Sequence, residues 1–565
     1  MSLDQPRLPT SRRVGASKSR SGCKTCKIRR VKCGEEKPVC LRCSSTGRRC
    51  EYDGGDTSPS APLTQSSLIV TRTLSLSPNS GRRERRAFEY YFQHAAQFLA
   101  GGMDVDFWTS VVPQICRSEP AVWDAMISVS ALFESPAQCP DFTFLRQQQN
   151  GSLTLAQNQK DALIWYSRSM STIHEQIERG TADPYIALIS CVLFISIEIV
   201  QGRLEEALQL YWQGVSLIQD LRTNAHFSAS ATKAALLENT IIPLFMRLNT
   251  IALTISGTPA SEILTFAGSH MGQGFTSLDS ARLAIVALSA EAMLFERETY
   301  LHIVAVASDS RVHPEFLTRQ QNLQARLDHW LHAYTNLIQT IHREPATPPR
   351  PPTTTEPLLL IYHASASIFV STCLTCSPLS YDVHLPTFQM IVEQASLILS
   401  TSAGPDGSQP PFTFEMGVGL PLYLTALRCR DPIIRRRALH LLRQSPKVQS
   451  FFKCTPVALL AEAIMNLEEE YSASLRITGS TAYDDSSAPL SSRIPEEARI
   501  ITAGVFKPRN GPPHGFPADI FAEWLEGEFR NWNRSSDRLV LRFCRGKHYP
   551  EHDTWRLTWE NVPIW

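Results

Sequence analysis

Cys23-Lys-Thr-Cys26-Lys-Ile-Arg-Arg-Val-Lys-Cys33-Gly-Glu-Glu-Lys-Pro-Val-Cys40-Leu-Arg-Cys43-Ser-Ser-Thr-Gly-Arg-Arg-Cys50 gathers six of the chain's 14 cysteines into one short run. The spacing, C-x2-C-x6-C-x6-C-x2-C-x6-C, is two C-x2-C-x6-C halves joined by a loop. Each C-x2-C sets two thiolates on one ion while the backbone between them turns into a short helix, and each third cysteine returns from the far side. Two tetrahedral zinc ions need eight ligand positions and six thiolates fill only six, so two thiolates bridge. The internal symmetry nominates the first cysteine of each half, Cys23 and Cys40. The opening Met1-Ser-Leu-Asp-Gln-Pro-Arg has no apolar segment of the secretory kind. A reducing compartment is therefore expected, where crowded cysteines hold metal rather than disulfides.

Between the first and third cysteines stand Lys24, Lys27, Arg29, Arg30 and Lys32. Five basic side chains on a turn of helix cannot form a core. Such a helix fits the DNA major groove, where an Arg or Lys bonds guanine O6 and N7 while its neighbours neutralise phosphates. Ile28 and Val31 are the apolar members and are expected to pack inward; Pro38 stiffens the connecting loop. Residues 23–50 resemble the zinc binuclear-cluster DNA-binding domain of fungal transcription factors, with its C-x2-C-[KR]-x-[KR]-[KR]-x-K-C first half and K-P-x-C loop. The resemblance implies two zinc ions on Cys23, Cys26, Cys33, Cys40, Cys43 and Cys50. It implies base contacts by Arg29 and Arg30 (with Arg30 at the usual reading position), phosphate contacts by Lys24, Lys27 and Lys32, and CGG-like triplets as the target. Many members follow the last cysteine with a heptad coiled coil. Here Glu51-Tyr-Asp-Gly-Gly-Asp leads instead into Ser/Thr/Pro-rich sequence, so pairing through a zipper is not expected.

The remainder of the 565 residues is of another kind. Residues 1–56 carry 14 Lys and Arg against six Asp and Glu, whereas the rest carries 41 against 48. A basic head on a mildly acidic body argues for a polyanion-binding module joined to something else, and against a plain single-domain enzyme. With 43% hydrophobic residues the body can bury a core. Its most apolar stretch, Tyr185–Val200, is shorter than the ~20 residues a bilayer requires and contains Glu198, so it is expected as a buried helix and no membrane partner is implied.

Composition suggests a basic flexible arm (1–20), the cluster domain (21–53), a Ser/Thr/Pro-rich flexible linker (54–86), an α-helical body (87–495) and a C-terminal extension with short strands (496–565). Arg82–Arg86 and the Arg12–Arg20 arm are nuclear-localisation candidates. Phe88, Tyr91, Phe92, Ala95 and Leu99 recur at helical spacing from Ala87 onward. An amphipathic helix is read from Tyr166 through Met170, Ile173 and Ile177, and Leu204–Leu221 closes a helical hairpin after Gly202. Phe107-Trp108, Glu119-Pro-Ala-Val, Phe412-Thr-Phe and Asp431-Pro-Ile-Ile resemble the fungal-specific regulatory domain that often accompanies the zinc cluster, with Asp431 an N-cap and Pro432 at N1. Arg435, Arg436 and Arg437 read as a solvated helix face. Strand-like alternation marks Ala498–Phe506, Arg538–Cys544 and Thr554–Glu560.

No nucleophile elbow, phosphate-cradling loop, dinucleotide fingerprint or metalloprotease motif occurs. Asp328, His329 and His332 read as polar helix surface, and Cys373 with Cys376 as buried core. Leu467–Tyr471 and Tyr483–Ser486 are short acidic-aromatic pieces, candidates for an activation segment. The expected fold is mostly α: a small zinc-cluster head, a large all-α regulatory domain and a small β element at the C-terminus. The expected function is that of a nuclear, zinc-dependent, sequence-specific regulator of RNA polymerase II transcription, by family association a pathway-specific activator. Its expected partners are double-stranded DNA, the transcription machinery or co-regulators, and a small-molecule effector. The rival readings are an interaction scaffold with a purely structural zinc head, and an enzyme hidden in the body.

Overall fold

A computed structural model describes residues 21–29, 31–37, 39–46, 50, 81–101, 105–136, 155–223, 231–256, 274–305, 313–343, 354–375, 377–404, 407–477, 494–508, 511, 519, 522, 539–549 and 554–564. The chain divides into two units, Met1–Asn79 and Ser80–Trp565. Among its described residues the first carries two short helices, α1 (Lys24–Ile28) and α2 (Leu41–Ser44). So few residues cannot enclose an apolar core. The buried cluster consists instead of Cys23, Cys26, Cys33, Cys40 and Cys43, with Cys50 against them.

The second unit is a helical array. Helix α3 (Arg82–Tyr90) runs through a π-helical turn at Tyr91–Ala95 into Ala96–Ala100. Phe88, Tyr91, Ala95 and Leu99 form its buried face, as their spacing predicts. The helix opens at Arg82 rather than Ala87, so 82–86 belongs to the body and not to a flexible linker; residues 54–80 lie outside the described residues. The basic run is a helix start: Arg83 binds Asp161 at 3.1 Å, and Arg86 pairs with Glu134.

Helix α4 (Pro120–Glu134) packs against α5 (Gln157–Glu178) and α6 (Pro184–Val200). Helix α5 begins nine residues before Tyr166. Its buried side is Ala162, Trp165, Tyr166 and Ser169, and it leaves Met170 41% and Ile177 58% exposed. The expected stripe fails because Ser169 goes inward at no loss, its hydroxyl donating to the Ala121 carbonyl at 2.6 Å. Helix α6 is buried as expected, and Glu198 within it accepts from the Tyr166 hydroxyl at 2.7 Å. Gly202, at φ +81°, turns the chain into α7 (Leu204–Thr223). A Cβ at Gly214 would sit 2.4 Å from the Phe245 ring, so glycine sets how closely α7 approaches α8 (Ile242–Ser256).

Three further helices, α9 (Leu278–Ala305), α10 (Pro314–Arg343) and α11 (Thr355–Thr372), meet around an aromatic stack. Trp330 lies between Tyr334 at 4.7 Å and His363 at 5.5 Å, and its indole N–H donates to the Ala281 carbonyl at 2.8 Å. Burial lowers the His363 pKa, keeping the ring neutral against the Leu327 carbonyl 3.1 Å away.

Helices α12 (Leu385–Ser402), α13 (Gly419–Arg428), α14 (Pro432–Gln444) and α15 (Cys454–Ile477) complete the array. Asp431 caps α14, accepting from the N–H groups of Ile433 and Ile434, both at 2.9 Å, with Pro432 at N1. Two-residue strands β1 (Phe412–Thr413), β2 (Val448–Gln449) and β3 (Phe452–Lys453) bring distant sequence together: Phe414 packs on Trp108 at 5.4 Å and Phe412 on Phe133 at 6.2 Å. At the C-terminus β4 (Ile500–Phe506), β5 (Leu539–Tyr549) and β6 (Thr554–Ile564) form an antiparallel sheet in that order, the β element expected there.

The arginine row of α14 differs from expectation. Arg437 is exposed and Arg436 pairs at the surface with Glu469, but Arg435 is fully buried. Glu468 receives Arg435 at 2.8 Å, Arg499 at 2.7 Å and the Ile500 N–H at 2.9 Å. Arg499 in turn donates to the carbonyls of Leu427 and Arg428, and burial pulls its pKa down to about 10. Leu467–Tyr471 is therefore built into α15, with the Glu468 carboxylate joining three elements, and is no free activation segment. Tyr483–Ser486 lies outside the described residues.

Candidate metal centre and nucleic-acid interface

Each half of the head starts with a cysteine at a helix N-cap, Cys23 before α1 and Cys40 before α2, both with extended backbone. The pseudo-repeat of the sequence is also one of contacts. The Cys23 N–H points to the Cys33 sulfur at 3.3 Å, and the Cys40 N–H to the Cys50 sulfur at 3.3 Å. Between the halves, Cys23 Sγ lies 3.7 Å from Cys40 Sγ and 3.8 Å from Cys43 Sγ, and Cys26 Sγ lies 3.7 and 3.9 Å from the same two atoms. Zinc–sulfur bonds of about 2.3 Å give a tetrahedron with edges of about 3.8 Å. The four sulfurs, all within 4.8 Å of one another, match that size. Cys33 and Cys50 flank this quartet. The donor set is what a thiolate-rich zinc site requires, and the residues fit the ion.

The thiols differ in acidity. Burial opposes ionisation of Cys23 and Cys40, yet surrounding donors outweigh it: the Cys26 N–H lowers Cys23, and the Cys43 N–H helps bring Cys40 to about 6. Burial raises Cys26 and Cys43, assisted by neighbouring thiols. At Cys50 the Cys40 N–H pulls downward, but burial and the other thiols prevail and push it up to about 12. The two sulfurs readiest to carry charge are thus the leading cysteines of the two halves.

Around this centre the surface is basic. Lys24, Lys27 and Lys32 are exposed. Arg29 is half-buried and donates to the Thr46 hydroxyl at 3.3 Å, tying the first half to the second. Arg29 and Thr46 each stand six residues after the leading cysteine of their half, so superposing the halves is the sequence signal that pairs them. Arg30 lies outside the described residues. Glu36 accepts from the Leu41 N–H at 3.1 Å, placing a carboxylate at the start of α2. Contrary to expectation, Ile28 and Val31 do not pack inward; they are 74% and 40% exposed, because the inner volume is taken by sulfur.

Elsewhere, Asp328, His329 and His332 lie on the exposed side of α10. Cys373 is buried at the end of α11, while Cys376 lies outside the described residues. Among the described residues no helix is long and apolar enough to cross a membrane.

Residues 21–57 match the family model of the fungal Zn(2)-Cys(6) binuclear cluster domain, and residues 86–453 that of the fungal specific transcription factor domain. The first family carries two zinc ions on its six cysteines. The chain is similar to the Zn(2)-C6 fungal-type transcription factor afumD of Aspergillus fumigatus, at 32% identity over 21% of this chain and 34% of that protein. It is similar to the transcription regulator lscL of Purpureocillium lilacinum at 27% identity, over 35% of this chain and 48% of that one. It is similar to the aspercryptin biosynthesis cluster-specific transcription regulator atnN of Emericella nidulans at 68% identity across 34 residues, 6% of each chain. The matches thus span under half the length of these relatives. Among solved structures, none matches. With one family model covering the head and a second covering most of the body, the chain belongs to the fungal zinc-cluster transcription factors, a family of regulators rather than enzymes.

Proposed function

We propose that the protein is a nuclear, sequence-specific DNA-binding regulator of RNA polymerase II transcription that reads CGG-like triplets and serves as a pathway-specific activator. The observation that carries this reading is the six-cysteine centre set against an exposed face of Lys24, Lys27 and Lys32. In this reading all six cysteines are ligands, with Cys23 and Cys40 as bridges. Bound zinc supplies the folding free energy that a core of this size lacks. The lysines contact phosphates, Arg30 reads guanine, and Arg29 supports it from its bond to Thr46. The pathway-specific role rests on likeness to relatives such as atnN, whose name describes it as a biosynthesis cluster-specific transcription regulator. Co-regulators and a small-molecule effector are the partners of the body.

The test is a random-sequence DNA selection with the zinc-loaded full-length protein at fixed salt, with Arg30→Ala in parallel. Enrichment of CGG-type triplets supports the proposal, and single or paired triplets give the number of heads engaged. Arg30→Ala is expected to lose about 1–3 kcal/mol of discrimination at one base pair. Salt-sensitive binding that enriches no sequence would overturn the proposal and leave an interaction module.

A further inference from the structure

The two halves of the head are built to one pattern, which makes each an internal control for the other. Position by position, Cys23, Cys26 and Cys33 correspond to Cys40, Cys43 and Cys50, and Ile28 corresponds to Ser45. Both Ile28 and Ser45 point to solvent. The second half ends its helix with Ser45 as the C-cap there, so the fold asks for no apolar group at this position. Isoleucine is nonetheless present, 74% exposed at the end of α1, beside the exposed Lys27 and the arginine pair. Ile28 thus shares its exposed surface with Lys24, Lys27 and Lys32, the residues that the DNA-binding reading sets against the duplex, where apolar atoms can reach base edges. The surrounding charge selects a polyanion as the partner. In the DNA major groove the apolar feature that a base edge offers is the 5-methyl group of thymine.

We propose that Ile28 reads a thymine methyl group in the major groove, next to the guanines read by the basic residues. This rests on the DNA-binding reading above and adds a base to it. Ile28 would bring apolar surface to the methyl and exclude water from it, which favours thymine over cytosine or uracil at one position. The basic side chains cannot tell thymine from uracil, because uracil presents the same O4 acceptor.

The experiment uses the full-length protein loaded with zinc. From the best selected DNA site, duplexes are made in which each thymine in turn is replaced by uracil, which removes only the methyl. Wild type is expected to lose roughly fourfold in affinity at one such position, the worth of one buried methyl-sized group. Ile28→Ser, which copies the residue of the second half, and Ile28→Ala should bind thymine and uracil duplexes alike there. Both should keep two zinc ions and the guanine preference. Wild type indifferent to every uracil, or variants with the same uracil penalty, would overturn the role of Ile28 while leaving the DNA reading intact. Failure of wild type to enrich any sequence would overturn both.

Discussion

Among the described residues of Met1–Asn79 the buried hydrophobic side chains are cysteines gathered around helices of five and four residues. Ser80–Trp565 instead buries a continuous apolar core with rings such as Trp108, Tyr211 and Trp330 in it, and sets the buried Arg435–Glu468–Arg499 contact where several elements meet. The head thus depends on deprotonated ligands and an ion for its order, while the body depends on removing apolar surface from water. A basic reader and an acidic regulatory unit can then respond to different conditions within one chain.

The largest expected effect separates the two units outright. Chelation of zinc should abolish DNA binding and withdraw on the order of 10–16 kcal/mol of metal-linked folding free energy from the head. Far-UV circular dichroism should show the helical body almost unchanged. A body that melted along with the head would break the comparison.

Next comes the buried carboxylate that joins α14, α15 and β4. Glu468→Ala leaves Arg435 and Arg499 in a dry interior without their common partner, and should destabilise the body by about 3–5 kcal/mol in denaturant unfolding. Zinc content and DNA affinity should stay at wild-type values. An unchanged midpoint would show that Arg435 and Arg499 reach solvent. A smaller effect, about 1 kcal/mol, is expected from Asp431→Ala, which removes the acceptor for two N–H groups at the start of α14.

The smallest effect is one of pH. Burial lowers the folded-state pKa of His363 below its unfolded value near 6.5. As pH falls through that unfolded value the unfolded chain gains a proton that the folded chain refuses, so stability declines toward the folded-state pKa. His363→Gln should flatten that part of the stability profile of the body. If the slope survives the substitution, another group is responsible.

The head was readable from sequence because metal binding is written in spacing: six cysteines at repeated intervals leave few ways to satisfy two ions. The three C-terminal strands were readable by alternation, and α6 by its unbroken apolar run. Arg435, Arg436 and Arg437 were not, since adjacent helical residues point about 100° apart and only the distant Glu468 and Arg499 select which one turns inward. Tertiary partners also overrode pattern at Ser169, whose satisfied hydroxyl took an inward place while Met170 stayed out. At Ile28 the apolar residue suggested a core, but in a unit filled by sulfur there is none to join.

The Arg435–Glu468–Arg499 contact also orders events during synthesis. Domains form progressively as the chain leaves the ribosome, at roughly 5–20 residues per second. Arg435 emerges first, then Glu468, and Arg499 only after α14 and α15 are complete. Until then the Glu468 carboxylate holds Arg435 alone and is still short of two of its three donors, Arg499 and the Ile500 N–H. The match to the fungal specific transcription factor domain ends at residue 453, before two of these three partners have been made. The cooperative unit that the cell must finish therefore extends beyond the stretch by which the family is recognised, and the β4 segment is the last part of this junction to arrive.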